Sequence, residues 1–416
     1  MPAMSKATNA SRPAHRPTKT PGVKKTSAPT SQSIHTNTNQ HPELVASSQT
    51  PPTCNNPHAD RIQPKKEAGG KSTDNSANKG KQTEGGGRKA IEAGKELIKE
   101  AIFEKLDSKI ICSTNAFRVA DLGCSVGPNT FHAVQSVLDA VEQKCQGQGH
   151  NSQLPEFQVF FNDHASNDFN ELFKSMPSDR RYYAAGVPGS FYSRLFPKAF
   201  LHFAYSSYSL QILSKVPGEV VDVNSPAWNK GRIHYSKSAN HVVKAYEAQY
   251  AKDMDCFLSA RAQEIVSGGL MAFVVPGRPN GIPHAEVFVN MAKELFGSCL
   301  MDMAKKGFIS EEKVDSFNIP QYIASLEDVE AIVKANGCFS TETMEILSGD
   351  KPQPKAFASG VRSGMEGMIQ KHFGKEIDLD HLFDLFRQKL EESSSILESK
   401  KFVSLFVVLK RRSATE

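Results

Sequence analysis

No run of this sequence is apolar for long enough to span a bilayer, and no short apolar core of the secretory kind follows Met1. The pattern therefore argues against a membrane-crossing helix and against a secretory leader. Cysteine is sparse and scattered: there are seven, an odd number, with no C-x-x-C pair. That disfavours a disulfide framework or a zinc knuckle and favours a reducing compartment, with the cytoplasm as the expected location. Nothing repeats at a solenoid period. The G-x-G-x-x-G pattern that rests a pyrophosphate on a helix N-terminus is missing, as is a hydride-site acid/base in the expected context, so a dehydrogenase is disfavoured.

The first 87 residues contain no Phe, Tyr or Trp and are crowded with Ser, Thr, Asn, Pro, Lys and Gly. Such a composition cannot bury enough apolar surface to offset ordering entropy, which predicts a disordered, basic, low-complexity tail over 1–87. Twelve Lys/Arg face five Asp/Glu there, a net +7, whereas the rest holds 38 against 40, so the whole-chain +5 belongs to the tail. The cations are dispersed among polar residues without stacking aromatics, which argues against specific nucleic-acid binding and against a membrane partner. Few acids and many Ser/Thr also suit a plastid transit peptide, although Arg is scarce.

What is present begins at residue 88: over 300 residues, enough for one large α/β domain with a helical addition. Its organising stretch is Phe117-Arg-Val-Ala-Asp-Leu-Gly-Cys-Ser-Val-Gly-Pro-Asn-Thr-Phe131. An apolar strand runs into Asp121, a turn of small residues follows, and Pro128 suits the first turn of a helix. Glycines 123 and 127 admit close approach, and the helix start turns free N–H groups into the same space. The spacing is Asp-x-Gly-x-x-x-Gly, and a carboxylate at the strand end would repel phosphate. An acid there suits a ligand with an ammonium group, such as S-adenosylmethionine. A second apolar run, Phe157-Gln-Val-Phe-Phe-Asn-Asp163, places another acid one helix downstream. In a doubly wound sheet Asp163 would then accept from both hydroxyls of a ribose.

Helical spacing over Lys89–Leu106 and from Pro128 to about Val141 alternates with these strands. Further strands are predicted at Leu201–Ser207, Gly269–Val275 and Phe402–Leu409. The alternation predicts a mostly parallel sheet with sites along one edge.

The succession Asp-Leu-Gly-Cys-Ser-Val-Gly-Pro-Asn-Thr at 121–130, Phe-Phe-Asn-Asp at 160–163, Gly-Ser-Phe-Tyr-Ser-Arg-Leu-Phe-Pro at 189–197, Ser-Ser-Tyr-Ser-Leu at 206–210, Asn-Lys-Gly at 229–231, Asp-Ser-Phe-Asn-Ile-Pro at 315–320 and His-Phe-Gly at 372–374 resembles the plant SABATH methyltransferases. The likeness covers the chain from about Arg88 to its end, in order. It implies a Rossmann-like class I methyltransferase fold with an α-helical cap, methyl transfer to a small carboxylic acid or, in one branch, a purine-alkaloid nitrogen, and a homodimer. It further implies S-adenosylmethionine held by Asp121, Cys124 and Asn129, by Asp163 with the backbone of His164 on the ribose, by Ser190 and Phe191 on the adenine, and by Ser207 beside the methionine moiety. Position 164 is commonly Leu in the family, and His164 is expected to pack rather than pair. A divalent cation, Mg²⁺ by its oxygen donors, is implied at Asn229, Asp315, Asn318 and the backbone of Phe317; the same cluster would equally serve to tie two loops.

No catalytic acid or base is expected, because a carboxylate is already ionised near neutral pH and needs only to be held in line with the sulfonium methyl. The substrate grip is where the chain departs from the family. Tyr208 and Gln211 are in place, but Ile212 stands where a Trp indole is usual, and Glu84-Gly-Gly-Gly87 stands where a clamp Gln is expected. Each lost charged hydrogen bond weakens a buried carboxylate by ~1.5–3 kcal/mol. Three readings follow: a working enzyme with an altered substrate, a fold-retaining member with little activity, or a mispredicted coding segment over the first 87 residues. Tyr208, Gln211, Ile212 and Val287-Phe-Val-Asn-Met291 give an aliphatic lining, which favours a terpenoid or fatty-type acid over a purine.

Overall fold

Strands buried on both faces run through the middle of the structure, a computed structural model that describes residues 88–147 and 154–413. The tail expected over 1–87 lies outside the described residues. Seven strands form one sheet: β1 (Ala116–Leu122), β2 (Glu156–Asp163), β3 (Tyr183–Pro188), β4 (Leu201–Ser207), β5 (Ile265–Pro276), β6 (Phe339–Gly349) and β7 (Phe402–Arg411), in the order β3-β2-β1-β4-β5-β7-β6. The pairs from β3 to β5 are parallel, and β7 enters antiparallel to both β5 and β6. β1, β4 and β7 read as near-continuous apolar runs because helices cover both faces of the sheet.

Helices Arg88–Lys105 and Asn129–Gly147 pack on one face, where Ile102, Val134 and Val141 meet Phe117, Phe161 and Phe203. Helices Asn240–Glu264 and Leu326–Asn336 cover the other, with Tyr246, Phe257 and Val329 against Phe273 and Val407. The result is the doubly wound, Rossmann-like class I methyltransferase architecture expected above. The helical cap is formed by Phe288–Lys305, Pro354–Phe373 and Leu379–Glu392, which share a core of Phe288, Phe296, Met365, Ile369, Phe386 and Leu390. In the last of these helices Asp378 caps the first turn by accepting from the His381 N–H, and burial at 379, 382, 383, 386 and 390 marks one helical face.

Two strands escape the sequence pattern. β3 is the outer strand at one end of the sheet and β6 at the other, so each carries exposed positions, with small residues in β3 and polar ones in β6, and neither reads as an apolar run. The helix expected to end near Val141 continues to Gly147, and Pro128 sits just before it, its carbonyl accepting the His132 N–H at 3.3 Å. No described helix is long and apolar enough to cross a membrane.

Candidate active site

Where β1 ends, the chain turns off the sheet over the neighbouring strand. Gly123 adopts φ +86°, and the N–H groups of Gly123 and Cys124 both donate to the carbonyl of Asn162, at 2.8 and 3.0 Å. A side chain at Gly123 would collide with Ser209, whose Oγ and Cβ stand where a Cβ would go. The turn carries Ser125, at φ 53°, close enough for its N–H to donate to Asp163 Oδ2 at 2.8 Å; Oδ1 accepts from the His164 N–H at 2.7 Å. Each carboxylate oxygen of Asp163 thus receives one backbone donor and keeps a lone pair outward.

Asn162 continues the frame sideways, its Nδ2 donating to the carbonyls of Val187 at 2.7 Å and Gly189 at 3.0 Å. This fixes the loop that follows β3, which holds Ser190 and the buried Phe191. Beneath that loop Arg261 and Glu264 form a fully buried ion pair. Arg261 donates to the carbonyls of Phe191 and Ser193, both at 2.9 Å, and Glu264 accepts from the N–H groups of Leu195 and Phe196. On the other side, Ser209 Oγ bridges the carbonyls of Gly123 and Ser207 at 3.2 and 3.1 Å.

Asp121, Cys124, Asn129, Asp163, His164, Ser190, Phe191 and Ser207 therefore sit at the carboxyl ends of β1–β4 or in the turns and helix start that follow. Asn129 opens its helix and is exposed. His164, just past the end of β2, is also exposed, which corrects the expectation that it packs.

Asp121 is buried, accepts from Thr130 Oγ1, and has no cationic partner among the described residues. Burial, with Asp163 adding to it, pushes its carboxyl up to about 7 against the opposing pull of the Thr130 hydroxyl. A buried carboxylate in this state is matched by an incoming ammonium. Burial also pushes the Cys124 thiol up, so its sulfur is no nucleophile.

A cavity of about 410 Å³ opens beside this edge. Tyr208, Gln211 and Ile212 all line it, together with Gln321, whose backbone bridges Ile212. Tyr208 is held at φ 53°, its N–H on the Val274 carbonyl at 2.7 Å and its hydroxyl 2.8 Å from Ser404 Oγ. Gln211 turns Nε2 back to the Tyr208 carbonyl at 2.6 Å. The remaining wall differs from the aliphatic lining expected: Phe296, Phe357, Phe386 and Phe402 supply rings from the cap and β7, and of Val287–Met291 only Val289 reaches the cavity. Lys293 lines it as well. Its signal in the sequence was a lysine among Phe288, Ala292, Phe296, Cys299 and Leu300, the buried face of an amphipathic helix.

The implied cation set has other work. Asn229 Nδ2 donates to Asn318 Oδ1 at 2.8 Å, Asn229 Oδ1 accepts from Ser238 at 2.6 Å, and Asp315 Oδ1 accepts from the Gly231 N–H at 2.7 Å. Phe317 closes the turn with its N–H on Val314 at 3.1 Å. With both amide oxygens engaged and a single carboxylate, the cluster fits the tie between two loops and does not fit a divalent cation. Among the described residues no three His, Cys, Asp or Glu gather as a metal site.

A family model described as SAM dependent carboxyl methyltransferase matches residues 76–412. The chain belongs to that family. It is 47% identical over 336 residues to a loganic acid O-methyltransferase of Catharanthus roseus, covering 77% of this chain and 88% of that protein. A farnesoic acid carboxyl-O-methyltransferase of Arabidopsis thaliana is 42% identical over 324 residues, covering 77% and 92%. A solved loganic acid methyltransferase with SAH superposes with a TM-score of 0.75 at 45% identity, over 80% of this chain and 95% of that one. The resemblance to SABATH enzymes is thereby established, and the protein is an S-adenosylmethionine-dependent carboxyl O-methyltransferase.

The residues present fit the cofactor of this methyltransferase. Among the described residues the buried carboxyl of Asp121 has no ion-pair partner and suits its ammonium group, and Asp163 presents both carboxylate oxygens at the end of β2. S-Adenosylmethionine, when bound, supplies an electrophilic methyl whose transfer to a carboxylate oxygen gives an ester and S-adenosylhomocysteine. The protein's own contribution is to hold the acceptor in line and dry. Tyr208 is not placed to act as a base: its hydroxyl is bonded to Ser404, and burial holds it above the ordinary phenol range.

Proposed function

We propose that this methyltransferase esterifies a terpenoid-type carboxylic acid. The observation that carries this is the apolar cavity of about 410 Å³ that begins at Tyr208, Gln211 and Ile212 and continues into the cap. Its volume lies within the usual range for a small-molecule site, and its mostly apolar walls favour a hydrocarbon body over a heterocycle that needs several hydrogen-bond partners. Ile212 leaves space where an indole would stand. The two relatives named for loganic and farnesoic acid also act, by their names, on terpenoid acids.

In this reading Asp121 receives the cofactor's ammonium and Asp163 the two ribose hydroxyls, with the His164 backbone beside them. Ser190 and Phe191 border the adenine, Cys124 and Asn129 shape the loop over it, and Ser207 lies by the methionine chain. Tyr208, Gln211 and Ile212 form the end of the substrate cavity nearest the methyl group.

The test is transfer of a labelled methyl group to loganic acid, farnesoic acid and xanthine in parallel. Ester from either acid, with no labelled xanthine, is the expected result. Label on xanthine alone would overturn the proposal.

A further inference from the structure

We propose that Lys293 is the residue that recognises the substrate's carboxylate, in place of the clamp donors that this chain lacks. The inference rests on the carboxylate reading of the same cavity and names the residue that enforces it. Lys293, on the cap helix Phe288–Lys305, lines the cavity and, among the described residues, is the only lining side chain that can carry a positive charge. It is buried, 8% exposed, and no salt bridge to a carboxylate reaches it among the described residues. Its hydrogen-bond contact there is His234 Nε2, at 3.4 Å. Burial and the neighbouring lysine hold His234 well below its ordinary range, so the ring is neutral and can accept from the ammonium without adding charge.

A buried ammonium with no anion is strongly unfavourable, and Met or Leu would satisfy the surrounding face of Phe288, Ala292 and Phe296 without that penalty. A carboxylate entering the cavity supplies the missing partner. The neighbouring donors are poorly placed to do it alone, since Ile212 is apolar and Gln211 turns its amide nitrogen to Tyr208. In agreement, burial draws the Lys293 ammonium down to about 7, a depression that an ion pair would reverse.

The experiment titrates the full chain, loaded with S-adenosylhomocysteine, with farnesoic acid and with its methyl ester, at one pH near 6.5. A charge-assisted contact predicts that the native protein prefers the acid by about 10–100-fold. In Lys293→Met that preference should fall to about twofold or less while S-adenosylhomocysteine affinity is kept and the unfolding temperature is kept or raised, and Lys293→Arg should restore part of it. A purely structural lysine would alter both ligands equally and leave the ratio alone. Retention of the acid preference in Lys293→Met would overturn the assignment, as would its loss together with cofactor binding. A native chain that transfers methyl to an acid while Lys293→Met keeps full discrimination refutes only the lysine. A native chain that neither prefers nor esterifies farnesoic or loganic acid refutes the carboxylate reading and the lysine with it.

Discussion

Gly123 and Asp121 show how little the cofactor edge tolerates at single positions. At φ +86° and with Ser209 where a Cβ would go, Gly123→Ala should lose S-adenosylhomocysteine binding in calorimetry and destabilise the fold by about 1–3 kcal/mol in denaturant unfolding. Asp121 titrates near 7 when folded and near 3.8 otherwise. Between those values the folded chain holds a proton that the unfolded chain has released, so ligand-free stability falls as pH rises through that window and levels off above it. The ionised form needed by an ammonium accumulates over the same span, so cofactor affinity climbs while bare stability declines. Asp121→Asn should flatten both profiles, measured by thermal unfolding and calorimetry from pH 5 to 8. Ile212→Trp should narrow the cavity and shift preference toward smaller acids in a competition assay, by about 10–100-fold for a bulky acid. At this scale the acids Asp121 and Asp163 were legible because polar residues ending apolar strands stand out. Ser209 was not, since its importance comes from Gly123, 86 residues away in sequence.

Between elements, the buried pair Arg261–Glu264 is the strut of the loop after β3. Removing one partner leaves the other charged and unmatched, so Arg261→Met should cost about 3–5 kcal/mol of stability and weaken S-adenosylhomocysteine binding; denaturant unfolding beside calorimetry checks both. Replacing both partners by apolar residues should recover part of the stability and none of the loop order, because four backbone groups from Phe191 to Phe196 still lose their hydrogen bonds. The five strands that formed the sequence expectation, β1, β2, β4, β5 and β7, declared themselves by dense apolar runs. β3 and β6 lie at the outer ends of the sheet, where half of each strand faces solvent and the pattern fades. The cap helices were implied only through the family, and so the phenylalanines they add to the cavity were missed.

Across the molecule the two tasks are divided along the chain. The cofactor edge is built from β1 to β4, while most of the cavity wall comes from residues 289–402. Phe357→Ala should therefore raise KM for the acid and broaden acceptance while S-adenosylhomocysteine affinity stays within about twofold, a split that steady-state kinetics and calorimetry can read separately. One strand defeats a complete separation. β7 lies inside the sheet between β5 and β6, its Ser404 braces Tyr208 across 196 residues of chain, and its Phe402 closes part of the cavity wall. During synthesis, everything that precedes it must wait with a gap between β5 and β6. The catalyst is thus silent on the ribosome until almost its whole length has emerged, and any message cut short upstream of Phe402 yields a chain with an open seam rather than a weaker enzyme.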